Sequence, residues 1–296
     1  MDFWASMTAA LQDILPAVIA LPLMLIPFIV AEQIWPVGDR PGWRDYGLNI
    51  LVAMSTLFLA LPAGVAAAAL SAALRQWLPW RPLAFTFSDI GALPWVGGVL
   101  EIAVMIFLPL LLHDMWFYWA HRIEHRVPVL WEFHKLHHSD ERMNCSTWAR
   151  DHFLQASWIA IFPAFTLGLI FDLDAVQAGQ SALLATLFLS LWSMFYHSAI
   201  RISLPWLDRV LVTPQVHRIH HSRLAAHHDR NFADIFPLFD IMFGTYHRPR
   251  SDERLDTGLG DGEPSPRGLI GAQCVPAWRG LRRLGPRANK DAMRAS

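Results

Sequence analysis

Three histidine-rich stretches decide the fold of this 296-residue chain: His121-Arg122-Ile123-Glu124-His125, His134-Lys135-Leu136-His137-His138 and His217-Arg218-Ile219-His220-His221. They read HxxxH, HxxHH and HxxHH. On an α-helix, residues three or four positions apart share one face. The spacing therefore predicts three helical stretches, each with its imidazoles on one side, that converge on a common pocket.

The number of imidazoles predicts a site for more than one metal ion. Neutral imidazole suits zinc, copper, iron and nickel. Eight ligands are too many for one ion, whereas two ions with about four ligands each, and an open position, account for them. The ligands predicted from spacing alone are His121, His125, His134, His137, His138, His217, His220 and His221.

The composition predicts an integral membrane protein. The chain is 54% hydrophobic and its mean hydropathy is +0.29, which is high for a soluble domain. A net charge of −1 provides no basic surface, so nucleic-acid-binding proteins are excluded. Cys145 and Cys274 form no CxxC pair and predict no disulfide framework. The acidic start of the chain lacks the basic region of a cleaved signal peptide.

Five apolar runs are long enough to cross a bilayer, which takes about 20 helical residues. They are residues 14–31, 46–74, 90–112, 153–171 and 175–200. The last two are separated only by Asp172-Leu173-Asp174, which predicts a tight helical hairpin. Arg75 and Arg81 fit a five-span arrangement poorly, so one of the first three runs could be re-entrant or interfacial. Lys and Arg follow the third and fifth runs, so the histidine stretches are predicted to be cytoplasmic.

The predicted fold is all-α: a multi-span helical membrane protein with a cytoplasmic helical cap that holds a histidine-rich dimetal site. Residues 1–112 are predicted to form the N-terminal membrane spans. Residues 113–250 form the catalytic region, which includes two further spans. Residues 251–296 are rich in Gly, Pro and Arg and are predicted to be a polar, loosely ordered tail with a short helix near 277–284.

Four stretches resemble the fatty acid hydroxylase/sterol desaturase superfamily. Residues 114–125 resemble its DxxxYxxHRxxH segment, residues 130–139 its LWxFHxxHHS segment and residues 213–222 its TPxxHxxHHS segment. Residues 229–245 resemble its closing DxNF…D…FGT stretch. The resemblance covers residues 105–250. It implies a non-haem di-iron centre that activates O₂ to cleave an unactivated C–H bond of a lipid.

The resemblance also implies a ninth ligand. Members of the family use a histidine between the second and third stretches, and His197 occupies that place here. Some relatives have a further histidine one turn earlier, where this chain has Ser193. His152 and His228 are the candidates for a tenth ligand.

Carboxylates are expected to orient the ligand histidines by accepting their second ring N–H. Asp114, Glu124, Asp140 and Asp240 lie near the histidine stretches in the sequence. Asp114 and Asp240 are preferred because they stand in the stretches that resemble the family. No catalytic residue is predicted beyond the metal ligands.

The predicted function is O₂-dependent hydroxylation of a lipid that enters from the bilayer, with two iron ions as cofactor and zinc as their substitute in purified protein. Desaturation on the same centre is the alternative, because both reactions begin with hydrogen abstraction. A non-enzymatic metal-binding or metal-transport protein is less favoured, because transport predicts ionisable ligands near the middle of the membrane. The sequence has no haem, iron–sulfur, flavin or nicotinamide motif, so a ferredoxin, cytochrome or flavoprotein reductase must supply electrons.

Overall fold

The computed structural model describes residues 3–77, 94–159, 187–250, 255–261 and 263–284. Regular structure in these ranges is helical, apart from two isolated β-bridges, which confirms the all-α prediction for them. Residues 153–159 and 187–197 are helical. The other α-helices are α1 (Phe3–Ile34), α2 (Trp43–Trp77), α3 (Gly97–Arg126), α4 (Pro128–His138), α5 (Pro214–His220), α6 (Leu238–Met242) and α7 (Leu269–Arg283).

The helices α1 and α2 pack against each other and contain the first two predicted spans. Trp43–Ala67 is long and apolar enough to cross a membrane, with a mean hydropathy of 2.1. Only 22% of the most apolar part of this helix is buried against the rest of the protein. Val18–Ile34 is a shorter apolar helix. The turn at residues 172–174 lies outside the described residues, and the five-span arrangement stays a prediction.

The helix α3 carries the first histidine stretch on its last turns and leads directly into α4. It ends at Arg126 because Val127 precedes a proline, which disfavours helical backbone. Pro128 then begins α4, at a position where its missing N–H costs no hydrogen bond. This proline junction sets the first two histidine stretches on separate helices that contact each other.

Within the predicted tail, most of the described residues 263–284 are helical. The helix α7 is longer than the predicted short helix and packs on α4 and α2. The close approach requires Gly280, where a Cβ atom would lie 2.8 Å from the ring of Phe133. Gln273 fixes the same helix to α2 by donating to Ser55 and Thr56 at 3.1 and 3.0 Å. Glycine and proline within α7 weaken its helix propensity, which explains why the sequence favoured a loop.

A buried carboxylate joins α1 to the loops around the histidines. Glu32 has no exposed surface, and its Oε1 accepts hydrogen bonds from the backbone N–H of Cys145 at 2.6 Å and of Ala199 at 2.7 Å. Backbone hydrogen bonds between residues 35–37 and 199–201 extend this connection. The end of α1 is therefore fixed beside the histidine region.

Candidate metal centre

Nine largely buried histidines form two groups. Within each group the candidate ligand nitrogens all lie within 4.8 Å of one another. The five-histidine group consists of His121, His125, His134, His138 and His220. The four-histidine group consists of His137, His197, His217 and His221. The structure thus brings together the eight histidines selected by spacing and the one selected by resemblance.

The division between the groups follows helix geometry. Histidines four residues apart share a group, whereas the remaining histidine of each HxxHH motif faces the other group. In the second motif His134 and His138 belong to the five-histidine group, and His137 belongs to the four-histidine group. In the third motif His217 and His221 belong to the four-histidine group, and His220 belongs to the five-histidine group. We call His137 and His220 the crossing residues. Around a helix, positions i and i+4 differ by about 40° and positions i+3 and i+4 by about 100°. Each HxxHH motif therefore contributes to both groups.

The Nε2 atoms converge within each group. In the five-histidine group, Nε2 of His134 lies 3.0 Å from Nε2 of both His121 and His138. In the four-histidine group, three Nε2 pairs are separated by 2.9–3.2 Å. Ligands that bind adjacent positions on one ion at about 2.1 Å are about 3 Å apart. The spacing within each group fits one metal ion.

Backbone carbonyls fix the tautomer of several rings. Nδ1 of His121 donates to the carbonyl of Phe232 at 2.8 Å, and Nδ1 of His197 donates to the carbonyl of Ser193 at 2.8 Å. His220 is held in the same way by a third carbonyl, at 2.7 Å. Because a carbonyl oxygen only accepts, Nδ1 carries the proton in these rings and Nε2 has a free lone pair. This is the tautomer that a metal ligand needs.

Three carboxylates lie against the outer nitrogen of other rings. The Nδ1–carboxylate pairs are His134 with Glu124 at 3.2 Å, His137 with Asp151 at 3.4 Å and His125 with Asp229 at 3.6 Å. Nδ1 of His134 also lies 2.8 Å from the amide nitrogen of Gln155, and Nδ1 of His137 makes no hydrogen bond within the described part of the chain. A carboxylate that does accept from the outer nitrogen orients the imidazole and raises its basicity. Glu124 was among the sequence candidates, whereas Asp151 and Asp229 were missed. Both lie in loops next to another histidine, and no spacing rule connects a loop carboxylate to a distant helix.

Asp114 and Asp240 do not contact a histidine ring, which corrects the expectation drawn from the sequence. The carboxylate of Asp114 accepts hydrogen bonds from the backbone N–H groups of residues 234–236 at 2.8–3.0 Å. Asp240 accepts from those of residues 232 and 233 at 2.9 and 2.8 Å. Successive N–H groups of a loop provide several donors to one buried carboxylate, whereas an imidazole provides one. The two aspartates act through the loop whose carbonyl accepts from His121.

Neither candidate for a tenth ligand joins a group. Nε2 of His152 lies 2.7 Å from the carbonyl oxygen of Gln273, and its ring stacks on Phe133. His228 is exposed and lies beside Gly260. His152 therefore belongs to the packing between α4 and α7, and His228 to a surface loop.

Burial keeps most of the clustered imidazoles neutral. Burial, strengthened by the neighbouring imidazoles, lowers the pKa well below its ordinary value in His134, His138, His217, His220 and His221. Neutral imidazole is the form that binds metal. Nε2 of His125 and of His220 are buried and accept or donate no hydrogen bond, as expected of atoms directed at an ion. The all-imidazole donor set fits two borderline transition-metal ions, iron among them.

Comparison with known proteins shows which proteins this chain is similar to. Residues 106–245 match the family described as fatty acid hydroxylase. An ornithine lipid hydroxylase, OlsE, of Rhizobium tropici is 28% identical over 254 residues, which is 82% of this chain and 68% of that protein. The alkylglycerol monooxygenase of Danio rerio is 35% identical over 142 residues, 47% of this chain and 30% of that protein. The cholesterol 25-hydroxylase of Homo sapiens is 31% identical over 142 residues, 46% of this chain and 48% of that protein.

The chain therefore spans less than half the length of the last two relatives. No solved structure matches it. The matched region contains all nine clustered histidines and the aspartates that hold the loop beside them. Over residues 106–245 the chain is similar to the fatty acid hydroxylase family, and this similarity supports the superfamily predicted from the sequence.

Proposed function

We propose that the protein is a membrane-bound di-iron oxygenase that uses O₂ and external electrons to hydroxylate an unactivated C–H bond of a lipid, in lipid biosynthesis or modification. The observation that carries the proposal is the pair of buried histidine groups, with Nε2 atoms converging and outer nitrogens held by carbonyls and carboxylates. The relatives support it, since each is named a hydroxylase or monooxygenase and their names specify lipids.

The two histidine groups would each hold one iron ion, with zinc as the expected substitute in purified protein. When bound, the iron pair supplies the redox chemistry that activates O₂. The chain fixes ring tautomers through carbonyls and places the carboxylates of Glu124, Asp151 and Asp229 beside the outer nitrogens of other rings. Burial of the centre excludes water, which protects a reactive oxidant until the C–H bond is in place.

The course of α3 supports entry of the lipid from the bilayer. This helix leads from an apolar stretch to His121 and His125 on its last turns. An apolar groove of about 640 Å³ lies along it about three turns before His121, with Phe107, Leu111 and Ile241 among its walls. A lipid chain in this groove would lie on the same helix as two candidate ligands. We place the metal centre on the cytoplasmic side of the membrane, where a ferredoxin, cytochrome or flavoprotein reductase would deliver electrons.

An isotope experiment tests the reaction. Cells that produce the protein are grown under ¹⁸O₂, and their lipids are compared by mass spectrometry with those of cells that produce His221→Ala. Hydroxylation predicts a lipid that carries one ¹⁸O atom and is absent in the variant. His152→Ala is the matched control, since this buried histidine lies outside both groups, and it should keep the product.

The same isotope experiment also recognises desaturation. A product with one new double bond and no ¹⁸O would replace hydroxylation by desaturation on the same centre. Identical lipids with and without the active protein, in a host that supplies a compatible reductase, would overturn the oxygenase proposal.

A further inference from the structure

A pocket rich in arginine lies beside the four-histidine group. It encloses about 220 Å³ between the turn after α1, the residues that follow helical segment 187–197, and α5. Arg201, Arg218 and Arg250 line it together with apolar residues such as Val37 and Ile200. No Asp or Glu is among its lining residues in the described ranges. The pocket therefore has a strongly positive and partly apolar wall.

Of these arginines, Arg201 and Arg250 are exposed and Arg218 is half-buried. Nη2 of Arg218 makes only long contacts, 3.4 Å to the carbonyl of Ser198 and 3.5 Å to that of Met143. Neither Arg218 nor Arg201 forms an ion pair with a carboxylate of the described residues. The buried carboxylates of Glu32 and Asp140 favour the charged form of Arg218 electrostatically, although neither forms an ion pair with it. An anion in the pocket would give this guanidinium the direct partner that it lacks.

A second pocket adjoins the first and differs from it in how its arginines are paired. It encloses about 410 Å³ and shares Arg218 with the first. Its two other arginines are neutralised, because Arg142 lies 3.6 Å from Asp45 and Arg223 lies 3.1 Å from Glu141. Arg142 and Arg223 of the larger pocket are thus paired, whereas Arg201 and Arg218 of the smaller pocket form no ion pair with a carboxylate of the described residues. The anion preference is therefore assigned to the smaller pocket.

The pocket lies where membrane helices end. The turn that forms one wall follows the apolar helix Val18–Ile34 directly. Trp35, Trp43 and Trp206 on the neighbouring turns are exposed by 62%, 78% and 74%. Tryptophan is enriched at the membrane–water interface, where lipid headgroups lie. A bilayer lipid is therefore the source of anions that this pocket meets.

We propose that the pocket binds the anionic headgroup, a phosphate or a carboxylate, of a bilayer lipid, and that lipids with such headgroups are the substrate class. The second part rests on the proposed oxygenase function. Arg218 directly follows the candidate ligand His217, and Ile200 follows His197 by three residues. A headgroup held by Arg218 is thereby anchored beside the four-histidine group, with the apolar wall against the adjoining part of the lipid.

Binding without turnover tests the pocket. The full-length protein in neutral detergent micelles, without a reductant, is titrated with short-chain phosphatidic acid, with phosphatidylcholine of the same chains, and with inorganic phosphate. Wild type should bind phosphatidic acid at least tenfold more tightly than the other two. Arg201→Gln and Arg250→Gln should each weaken this binding about tenfold, the factor expected for one charge-assisted hydrogen bond. Arg201→Lys should keep most of it, which separates loss of charge from misfolding.

Arg248→Gln is the matched control, because Arg248 is exposed and precedes the pocket residue Pro249 but lines neither the pocket nor the apolar groove along α3. Equal weakening by this control would reduce the effect to general surface charge and overturn the proposal. Equal binding of phosphatidylcholine, or equally tight binding of inorganic phosphate, would also overturn it. If Arg201→Gln weakened binding of an acidic ferredoxin and left the lipid unaffected, the pocket would belong to a protein partner.

The two proposals fail separately. If the wild-type protein incorporates no ¹⁸O but binds phosphatidic acid selectively, the oxygenase proposal and the substrate assignment are refuted, whereas the lipid site is retained. If the wild-type protein incorporates ¹⁸O but does not prefer phosphatidic acid to phosphatidylcholine, only the proposed lipid site is refuted.

Discussion

Replacing Asp240 by asparagine tests whether the loop beside His121 is held as the structure indicates. The buried carboxylate accepts from two loop N–H groups and from the hydroxyl of Thr245 at 2.7 Å. Asparagine has the same shape, but its NH₂ group cannot accept, so one loop N–H loses its partner. A buried donor left unsatisfied costs about 1–3 kcal/mol, and a lost charge-assisted bond about 1.5–3 kcal/mol. These costs overlap, so the free energy of unfolding should fall by about 2–4 kcal/mol.

Thermal unfolding of the metal-free protein in detergent measures this change. At roughly 2 °C per kcal/mol for a chain of this length, the midpoint should fall by about 4–8 °C. Thr245→Val is the control, since it removes only the hydroxyl and should cost about 1 kcal/mol. Metal affinity at the five-histidine group should fall by about 10–100-fold, because the carbonyl of Phe232 orients His121. An Asp240→Asn protein with unchanged midpoint and unchanged metal affinity would refute the reasoning.

Three further predictions concern the metal content, the stability and the packing. His221→Ala should lower the metal content from two ions per chain towards one, measured by inductively coupled plasma mass spectrometry, whereas His152→Ala should keep two. Because burial lowers the pKa of the clustered histidines in the folded state, the unfolded chain takes up protons first as the pH falls. The metal-free protein should therefore be most stable above about pH 6.5 and lose stability below it, and a flat unfolding midpoint between pH 5 and 7.5 would contradict this. Gly280→Ala should destabilise by about 1–3 kcal/mol through its clash with Phe133, whereas Gly64→Ala, with open space around it, should be neutral or stabilising.

The helical spacing of the histidines made much of the site predictable. A separation of three or four residues fixes which side chains share a helix face, whatever surrounds the helix. His121, His134 and His217, with their motif partners, could therefore be assigned to a common pocket. His197 has no such partner in the sequence, so only the resemblance to a family selected it.

What the sequence did not reveal depends on how the elements pack. The division within each HxxHH motif follows from the positions of its histidines around the helix, but which imidazoles of separate helices share a group depends on how those helices pack. The backbone N–H groups that donate to Asp114 and Asp240 belong to one loop. This loop lies 120 residues from Asp114 and 8 residues from Asp240 in the sequence. The helix α7 acquires its stability from contact with α4, so its weak local propensity was a poor guide.

Because each HxxHH helix contributes imidazoles to both histidine groups, metal binding at the two candidate sites would be coupled through the orientation of α4 and α5. The helix α4 presents His134 and His138 to one group and His137 to the other, and α5 does the same with His220 as the crossing residue. Binding of the first ion thus fixes the rotation of both helices about their axes, and with it the vacant set of imidazoles. The second ion meets ligands whose ordering is already complete, so loading should be positively cooperative. A substitution that turns either helix by a few degrees will weaken both ions together.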